Sequence, residues 1–333
     1  MKIRHPYLLF LGDAADQLAA KTANGVNVWR PDWCKGQFRL PGCKADLGIP
    51  DMNIKEAAKA GVKTVLVGVA NRGGIIPPAW EKHLVKACEL GMDIASGLHN
   101  RLTDLPKLVA AAKANGRKLF DVRHPDRDFD VGTGIKRKGK RLLTVGTDCS
   151  VGKMFTSLAL EKEMRRRKMN ADFRATGQTG IFIAGSGVSI DAVISDFVSG
   201  AVEWLAPAAS DANHWDLIEG QGSLFHASYA GVTLGLIHGS QPDALVVCHE
   251  HGRAHMRGLP HYKHPSLKDC IERNIEAAQL TNPKVKCVGV SINTQRVSEK
   301  EAIKLLKKTE DQLGLPAVDP MRTGVDAIVD TLR

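Results

Sequence analysis

The sequence predicts an α/β protein built as two parallel-sheet domains, and three observations carry that prediction. Short apolar, β-branched runs alternate with stretches of helical length along the whole chain. Runs such as Tyr7–Leu11 and Leu142–Val145 are apolar on both alternate positions, as strands covered on both faces are. A glycine-bounded loop with a lysine, Gly146-Thr147-Asp148-Cys149-Ser150-Val151-Gly152-Lys153, falls between one such run and a helical stretch.

In order, Tyr7–Leu11 reads as a strand ending in Gly12-Asp13, followed by a helix over Ala14–Thr22. Val62–Val69 is a second strand, ending in Asn71-Arg72-Gly73-Gly74. A helix over Pro78–Leu90 stops at Gly91, and Asp93–Gly97 follows as a strand. Leu105–Asn115 is a helix closed by Gly116, and Lys118–Val122 is a strand. This half is Rossmann-like, but it has no GxGxxG fingerprint and so gives no dinucleotide site. Residues 123–141 are polar and glycine-rich, and this composition shift divides the chain at 1–135 and 136–333.

Alternation then resumes with strand Leu142–Val145, helix Lys153–Arg167, strand Ala171–Ala175, helix Asp191–Leu205 and strand Trp215–Ile218. Further on come a helix near Ala230–His238, strand Ala244–Cys248, helix Ser266–Gln279, strand Val285–Ile292 and helix Ser298–Leu313. The second half therefore predicts a P-loop NTPase-like parallel sheet.

Composition narrows the function classes. Of 333 residues, 43% are hydrophobic and 25% charged, enough to bury a core, and the 5% aromatic content suits aliphatic α/β packing. No apolar run reaches the ~18–20 residues that cross a bilayer. The apolar stretch after Met1 is too short for a signal-peptide core, so a cytoplasmic protein is expected. Seven cysteines without CxxC spacing fit reduced thiols. The net charge of +10 suits anionic ligands, while the one dense basic run, Lys136–Arg141, has no interleaved aromatics and reads as a solvated linker rather than a nucleic-acid surface. A homo-oligomer acting on a small molecule is expected, with neither nucleic acid nor membrane as partner.

The loop at 146–153 fits an anion. Glycines let the backbone approach, N–H groups at the helix start face the ligand, and Lys153 adds a mobile positive charge. It departs from GxxxxGK[ST] in two ways: five residues separate Gly146 from Gly152, and Met154 replaces the hydroxyl that ligates Mg²⁺. A thioether suits a hard cation poorly, and Thr156 lies about 200° further round the helix. The loop can hold a diphosphate, but its usual metal ligand is missing.

The string Gly146–Lys153 resembles the phosphate loop of dethiobiotin synthetase and its P-loop relatives, and Glu219-Gly220-Gln221-Gly222-Ser223 resembles their Glu-Gly-x-Gly strand end. There, Glu219 would hold Mg²⁺, orient water or take a proton, and Asn293 at a later strand end would read an adenine edge. A wider resemblance covers nearly the whole chain: a family with a Rossmann-like N-terminal and a P-loop C-terminal domain, some members of which are D-glutamate N-acetyltransferases using acetyl-CoA. It is carried by Gly146–Lys153, by Thr176–Gly180, by Glu219–His226 and by Gly239–Glu250. It implies acetyl transfer to the amino group of an acidic amino acid, D-glutamate above all. Acetyl-CoA carries a diphosphate that is not broken in the reaction, so Met154 becomes intelligible. The rivals are an ATP-dependent ligase or phosphotransferase using Mg²⁺, and a non-catalytic nucleotide switch.

Acetyl transfer needs a base, donors for the thioester oxyanion and cations for the acceptor carboxylates. Eight of the twelve histidines fall within 214–264. His226 is the first choice of base, with His249 and Glu250 next, and Asp148 a further group to orient the amine. His249, His251 and His255 could gather a metal, but no partner completes their set, and no metal is expected. Arg72, Arg101, Arg253 and Gln221 are the expected substrate contacts. Gly146, Thr147, Cys149, Ser150, Val151, Gly152, Lys153, Met154 and Asn293 are the expected cofactor contacts.

Overall fold

The computed structural model describes residues 2–69, 74–125 and 127–332. The chain divides into two compact units, Met1–Arg127 with Gly177–Ala192, and Asp128–Thr176 with Val193–Arg333.

The first unit runs β1 (Tyr7–Gly12), α1 (Lys21–Trp29), β2 (Cys34–Arg39), α2 (Ile54–Lys59), β3 (Thr64–Val67), α3 (Pro78–Glu89), β4 (Asp93–Ser96), α4 (Pro106–Ala114) and β5 (Leu119–Asp121). Its strands are all parallel, in the order β2-β1-β3-β4-β5, the flavodoxin-like order of doubly wound sheets. The apolar runs lie where expected because residues such as Tyr7–Leu11 are wholly buried, as residues of strands covered on both faces are.

Two elements differ from expectation. The first helix starts at Lys21, not Ala14, because Asp16 accepts a hydrogen bond from the Ala19 N–H and holds the chain in a turn. Strand β2 has no apolar alternation. It is an edge strand whose buried Gln37 is satisfied by Asp46, the Ile49 carbonyl and the Leu47 N–H.

The second unit runs β6 (Lys140–Gly146), α5 (Lys153–Arg166) and β7 (Ala171–Arg174). The chain then leaves for α6 (Gln178–Ala184) in the first unit and returns to α7 (Val198–Leu205). The expected helix over 191–205 is thus only its last two turns, preceded by 3₁₀ turns at Ile190–Ala192 and Ser195–Phe197. After it come β8 (Trp215–Ile218), α8 (Ala230–Ser240), β9 (Ala244–Glu250), α9 (Leu267–Gln279), β10 (Lys286–Asn293), α10 (Glu299–Leu313), β11 (Ala317–Val318) and α11 (Asp326–Asp330).

The sheet is parallel throughout, in the order β11-β10-β9-β6-β8-β7. The helices start where their sequences say: Ser266 caps α9, and Ser298 with Glu301 forms a capping box on α10. Val290, Ile292, Leu306 and Ala317 pack between β10, β11 and α10.

Lys136–Arg141 is not a solvated linker. Arg141 is fully buried, and its guanidinium donates to the carbonyls of Arg137 and, at 3.2 Å, Gly139. Arg137 donates to the Ala206 and Gly239 carbonyls and to the Gln241 side chain. Lys136 pairs with Asp243 at 2.7 Å. Arg137 and Arg141 are thus built into the second unit, where fixed carbonyls take part of the place of water, while Lys136 and Lys138 stay exposed.

Candidate active site

Because every strand of the second sheet is parallel, the loops after β6, β7, β8, β9 and β10 all emerge at its carboxyl edge, where ligands of open α/β sheets bind. There the sheet brings together Gly146–Lys153, Thr176, Glu219–His226, His249–Glu250 and Asn293.

The 146–153 loop is shaped by its glycines. A Cβ on Gly146 would stand 2.8 Å from the Val151 side chain and 3.0 Å from the Cys248 carbonyl, so only glycine turns here without strain. Gly152, at φ +101°, starts α5 in a left-handed conformation and faces open space. The Thr147 N–H donates to the Cys248 carbonyl at 3.0 Å. Lys153 is buried, and its Nζ donates to the carbonyls of Asp148 and Gly222, each at 2.8 Å. Burial pushes its ammonium pKa down. Among the described residues no carboxylate lies within ion-pair distance of it, so this buried cation suits an anionic ligand. Met154 takes the first-turn position after the lysine. The Thr156 hydroxyl donates to the Gly152 carbonyl and lies 2.7 Å from Ser291 Oγ, so no first-turn hydroxyl is offered to a metal.

Asp148 is the electrostatic centre. It is fully buried, and its Oδ1 accepts from the Cys149 N–H at 2.6 Å. Its Oδ2 accepts from Arg253 at 2.6 Å and from the Arg257 N–H at 2.8 Å, and stands 3.5 Å from His264 Nε2. Burial alone would raise this carboxyl; the hydrogen bonds from Arg253, Arg257 and Cys149 outweigh it and hold the pKa below the usual range. It is a carboxylate, and not itself poised to accept a proton at neutral pH.

Several expected roles change. Arg253 is not free for substrate: its guanidinium bonds Asp148, Glu250 and the Cys149 and Ser150 carbonyls, strapping the segment after β9 over the phosphate loop. Glu250 is not a free base, because one oxygen pairs with Arg253 and the other with Arg296 at 2.9 Å. His226 Nε2 donates to the Arg257 carbonyl at 3.0 Å and Nδ1 accepts from the Ser228 N–H at 3.2 Å, so both ring nitrogens are committed. His249 Nδ1 pairs with the Thr147 hydroxyl at 2.9 Å. Burial, with His264, His251 and Arg253 nearby, pushes its pKa down to about 4, which makes it a weak base at neutral pH.

Glu219 is buried and accepts from the Thr176 N–H at 3.0 Å. Gln221 donates to the Thr176 hydroxyl at 3.2 Å, and the Asn293 side chain accepts from the Gln295 N–H at 3.0 Å. Arg101 is exposed in the first unit, just past β4. Arg72 lies outside the described residues.

Asp148, Cys149 and His226 bring one potential ligand atom each within 4.8 Å of one another. The carboxylate belongs to Arg253, both imidazole nitrogens are taken, and burial pushes the Cys149 thiol up. This donor set does not fit a divalent cation. His255 Nδ1 donates to the Met256 carbonyl at 2.9 Å, and among the described residues His249, His251 and His255 do not gather their ring nitrogens within reach of one ion.

Sequence reasoning missed His264 and Arg257. His264 is nine-tenths buried beside Asp148 and His249, with ring centroids 5.9 Å apart from the latter. Arg257 is exposed, holding Asp148 by its backbone. The only sequence signal was the density of histidine and arginine after β9.

Known proteins match this architecture along its length. The P-loop domain of the DUF1611 family, a domain of unknown function, matches residues 130–329, and its Rossmann-like N-terminal domain matches residues 38–125. A D-glutamate N-acetyltransferase from Tritonibacter scottomollicae is 57% identical over 330 residues, spanning 99% of each chain. Another from a Pseudoalteromonas species is 53% identical over 332 residues, spanning 100% of each. The crystal structure of a DUF1611 family protein from Anabaena variabilis superposes with a TM-score of 0.84 at 31% identity, covering 99% of each chain. With its Rossmann-like and P-loop units and this full-length similarity, the chain belongs to the DUF1611 family.

Proposed function

We propose that this chain is an N-acetyltransferase that moves the acetyl group of acetyl-CoA to the amino group of D-glutamate. The observation that carries the reading is full-length identity of 57% and 53% to two D-glutamate N-acetyltransferases. The loop chemistry supports acetyl-CoA as donor. Among the described residues Lys153 is a buried cation without a carboxylate partner, at a helix start that favours anions. A diphosphate held there and left intact needs no metal, which suits Met154 and the engaged Thr156 hydroxyl. The same two features disfavour an ATP-splitting ligase or phosphotransferase, which needs Mg²⁺ on its phosphates.

In the reaction the acceptor amine, once deprotonated, attacks the thioester carbonyl. The C–S bond then breaks, the sulfur leaves as the CoA thiolate, and the amine proton goes to a base on the protein. Loop residues Gly146, Thr147, Cys149, Ser150, Val151 and Gly152 offer backbone, and Lys153 offers charge, to the CoA phosphates. Cationic side chains hold the two acceptor carboxylates. Arg253 is not available for that role, because it is spent on the loop itself.

Release of free thiol from acetyl-CoA across D- and L-amino acids is the direct test, with turnover expected on D-glutamate. Calorimetry with CoA and with ATP, each with and without Mg²⁺, separates the rivals. ATP binding that requires Mg²⁺, without CoA binding, would overturn the reading. Lys153→Ala is expected to weaken CoA about 10- to 100-fold, the scale of one hydrogen bond to a charged group.

A further inference from the structure

We infer that His264, oriented by Asp148, is the general base that removes the proton from the acceptor amine. The inference rests on the acetyl-transfer reading and adds to it a residue that neither motif nor spacing singles out.

Three histidines stand in the second unit around the phosphate loop, and their hydrogen bonds separate them. His226 has no lone pair to offer, because Nδ1 already accepts from the Ser228 N–H while Nε2 donates to the Arg257 carbonyl. His249 has its Nδ1 on Thr147, and burial pushes its pKa down to about 4, which leaves it a weak base whichever nitrogen carries the proton. His264 alone of the three has both ring nitrogens buried without a hydrogen-bond partner among the described residues. Its side chain is only 10% exposed, so the missing bonds are not supplied by bulk water. A buried imidazole left in this state has a ligand-directed purpose or carries an unrepaid desolvation cost.

One neighbour gives the ring its direction. Nε2 stands 3.5 Å from Asp148 Oδ2, close enough for attraction and outside hydrogen-bond geometry. Catalytic hydrogen bonds are commonly long without substrate and tighten when it binds. Asp148 is fixed by Arg253, by the Arg257 N–H and by the Cys149 N–H, so the carboxylate is a rigid acceptor. Facing it, the imidazole keeps its proton on Nε2 and presents the Nδ1 lone pair. This is the division of labour of a carboxylate–histidine pair: the acid orients the ring and stabilises the imidazolium, and the ring takes the proton. The amine nitrogen loses H⁺ to Nδ1 and forms the new N–C bond; the C–S electron pair leaves with sulfur, and the imidazolium returns the proton to the CoA thiolate.

The Arg257 backbone joins Asp148 to His226. Its exposed side chain therefore starts beside the dyad, where a cation serves an acceptor carboxylate.

The test is His264→Gln in the full-length protein. The kcat is expected to fall about 100-fold or more, with calorimetric CoA affinity unchanged. The acidic limb of the kcat/KM profile should disappear, and added imidazole should partly restore His264→Ala. Asp148→Asn should lower kcat while the position of that limb shifts. If wild type turns over D-glutamate and His264→Gln keeps its kcat and its acidic limb, this inference is overturned and the acetyltransferase reading survives. If wild type releases no thiol with any acceptor, that reading fails first. Should His264→Gln fold poorly, judged by its melting temperature, imidazole rescue of His264→Ala decides: no rescue with CoA binding intact overturns the base assignment.

Discussion

The turn after β1 and the turn after β6 occupy equivalent places, each leaving the carboxyl end of an internal parallel strand, yet one is plugged and the other open. Gly12 has φ +54°, and a Cβ built there would meet the Trp80 indole at 2.4 Å. Trp80 is 2% exposed, and its Nε1 donates to Asp13 at 2.8 Å. The first turn is therefore filled by an aromatic ring and its acid is spent on an indole. In the second turn the glycines leave space at Gly152, and among the described residues the buried cation Lys153 bonds only backbone carbonyls. A doubly wound sheet supplies a place for a ligand; the side chains decide whether the place is a core or a site.

The largest effect that can break this comparison comes from Trp80→Ala. Removing a wholly buried indole is expected to lower the unfolding free energy by about 3–5 kcal/mol, read from urea denaturation. CoA affinity, measured on the folded protein, should not change. An equal loss of CoA binding would mean that the plugged turn also serves the ligand.

How much of this was legible beforehand follows the same division. Strand Trp215–Ile218 falls where its apolar run ends, and the phosphate loop is readable because glycine spacing and one lysine are local signals. Strand β2 was illegible, since a polar edge strand is held by side-chain bonds from Gln37 rather than by an apolar pattern. Arg253 looked like a free cation because its partner Asp148 is 105 residues away in sequence. Arg141, in a run of basic residues, gave no sign of being fully buried. His264 sits between Lys263 and Pro265 without any motif; only the fold brings it to Asp148. Local chemistry can be read from a sequence, whereas the choice among several histidines depends on which lone pairs the fold has already used.

The second effect sharpens what the open turn costs. The pKa of His249 is pushed from 6.5 to about 4 by burial and by cationic neighbours. The folded state therefore binds fewer protons than the unfolded one in this interval, and stability is fully present above about pH 6.5. It is lost as pH falls toward about 4, at up to about 1.4 kcal/mol per pH unit. The carboxylate of Asp148, held low by Arg253, adds a loss of the same sign at still lower pH. Urea titrations from pH 7.5 to 4 should show this slope, and His249→Gln should flatten it. An unchanged slope in that variant would move the proton-linked group elsewhere.

The smallest effect is an expected invariance. A loop with Met154 after its lysine, and with the Thr156 hydroxyl bound to Gly152 and Ser291, offers no hard oxygen from the first turn of α5 to a metal. CoA affinity should accordingly be the same in Mg²⁺ and in a chelating buffer. Met154→Ser restores the hydroxyl at the usual position, and ATP binding by that variant should gain a dependence on Mg²⁺ that wild type lacks. CoA binding by the same variant should stay within about twofold of wild type, because a diphosphate that is only gripped draws on Lys153 and backbone N–H groups rather than on the side chain of residue 154. Mg²⁺-dependent CoA binding in wild type would show that an oxygen from another strand end, Glu219 being the nearest in kind, supplies the metal ligand that the loop has lost.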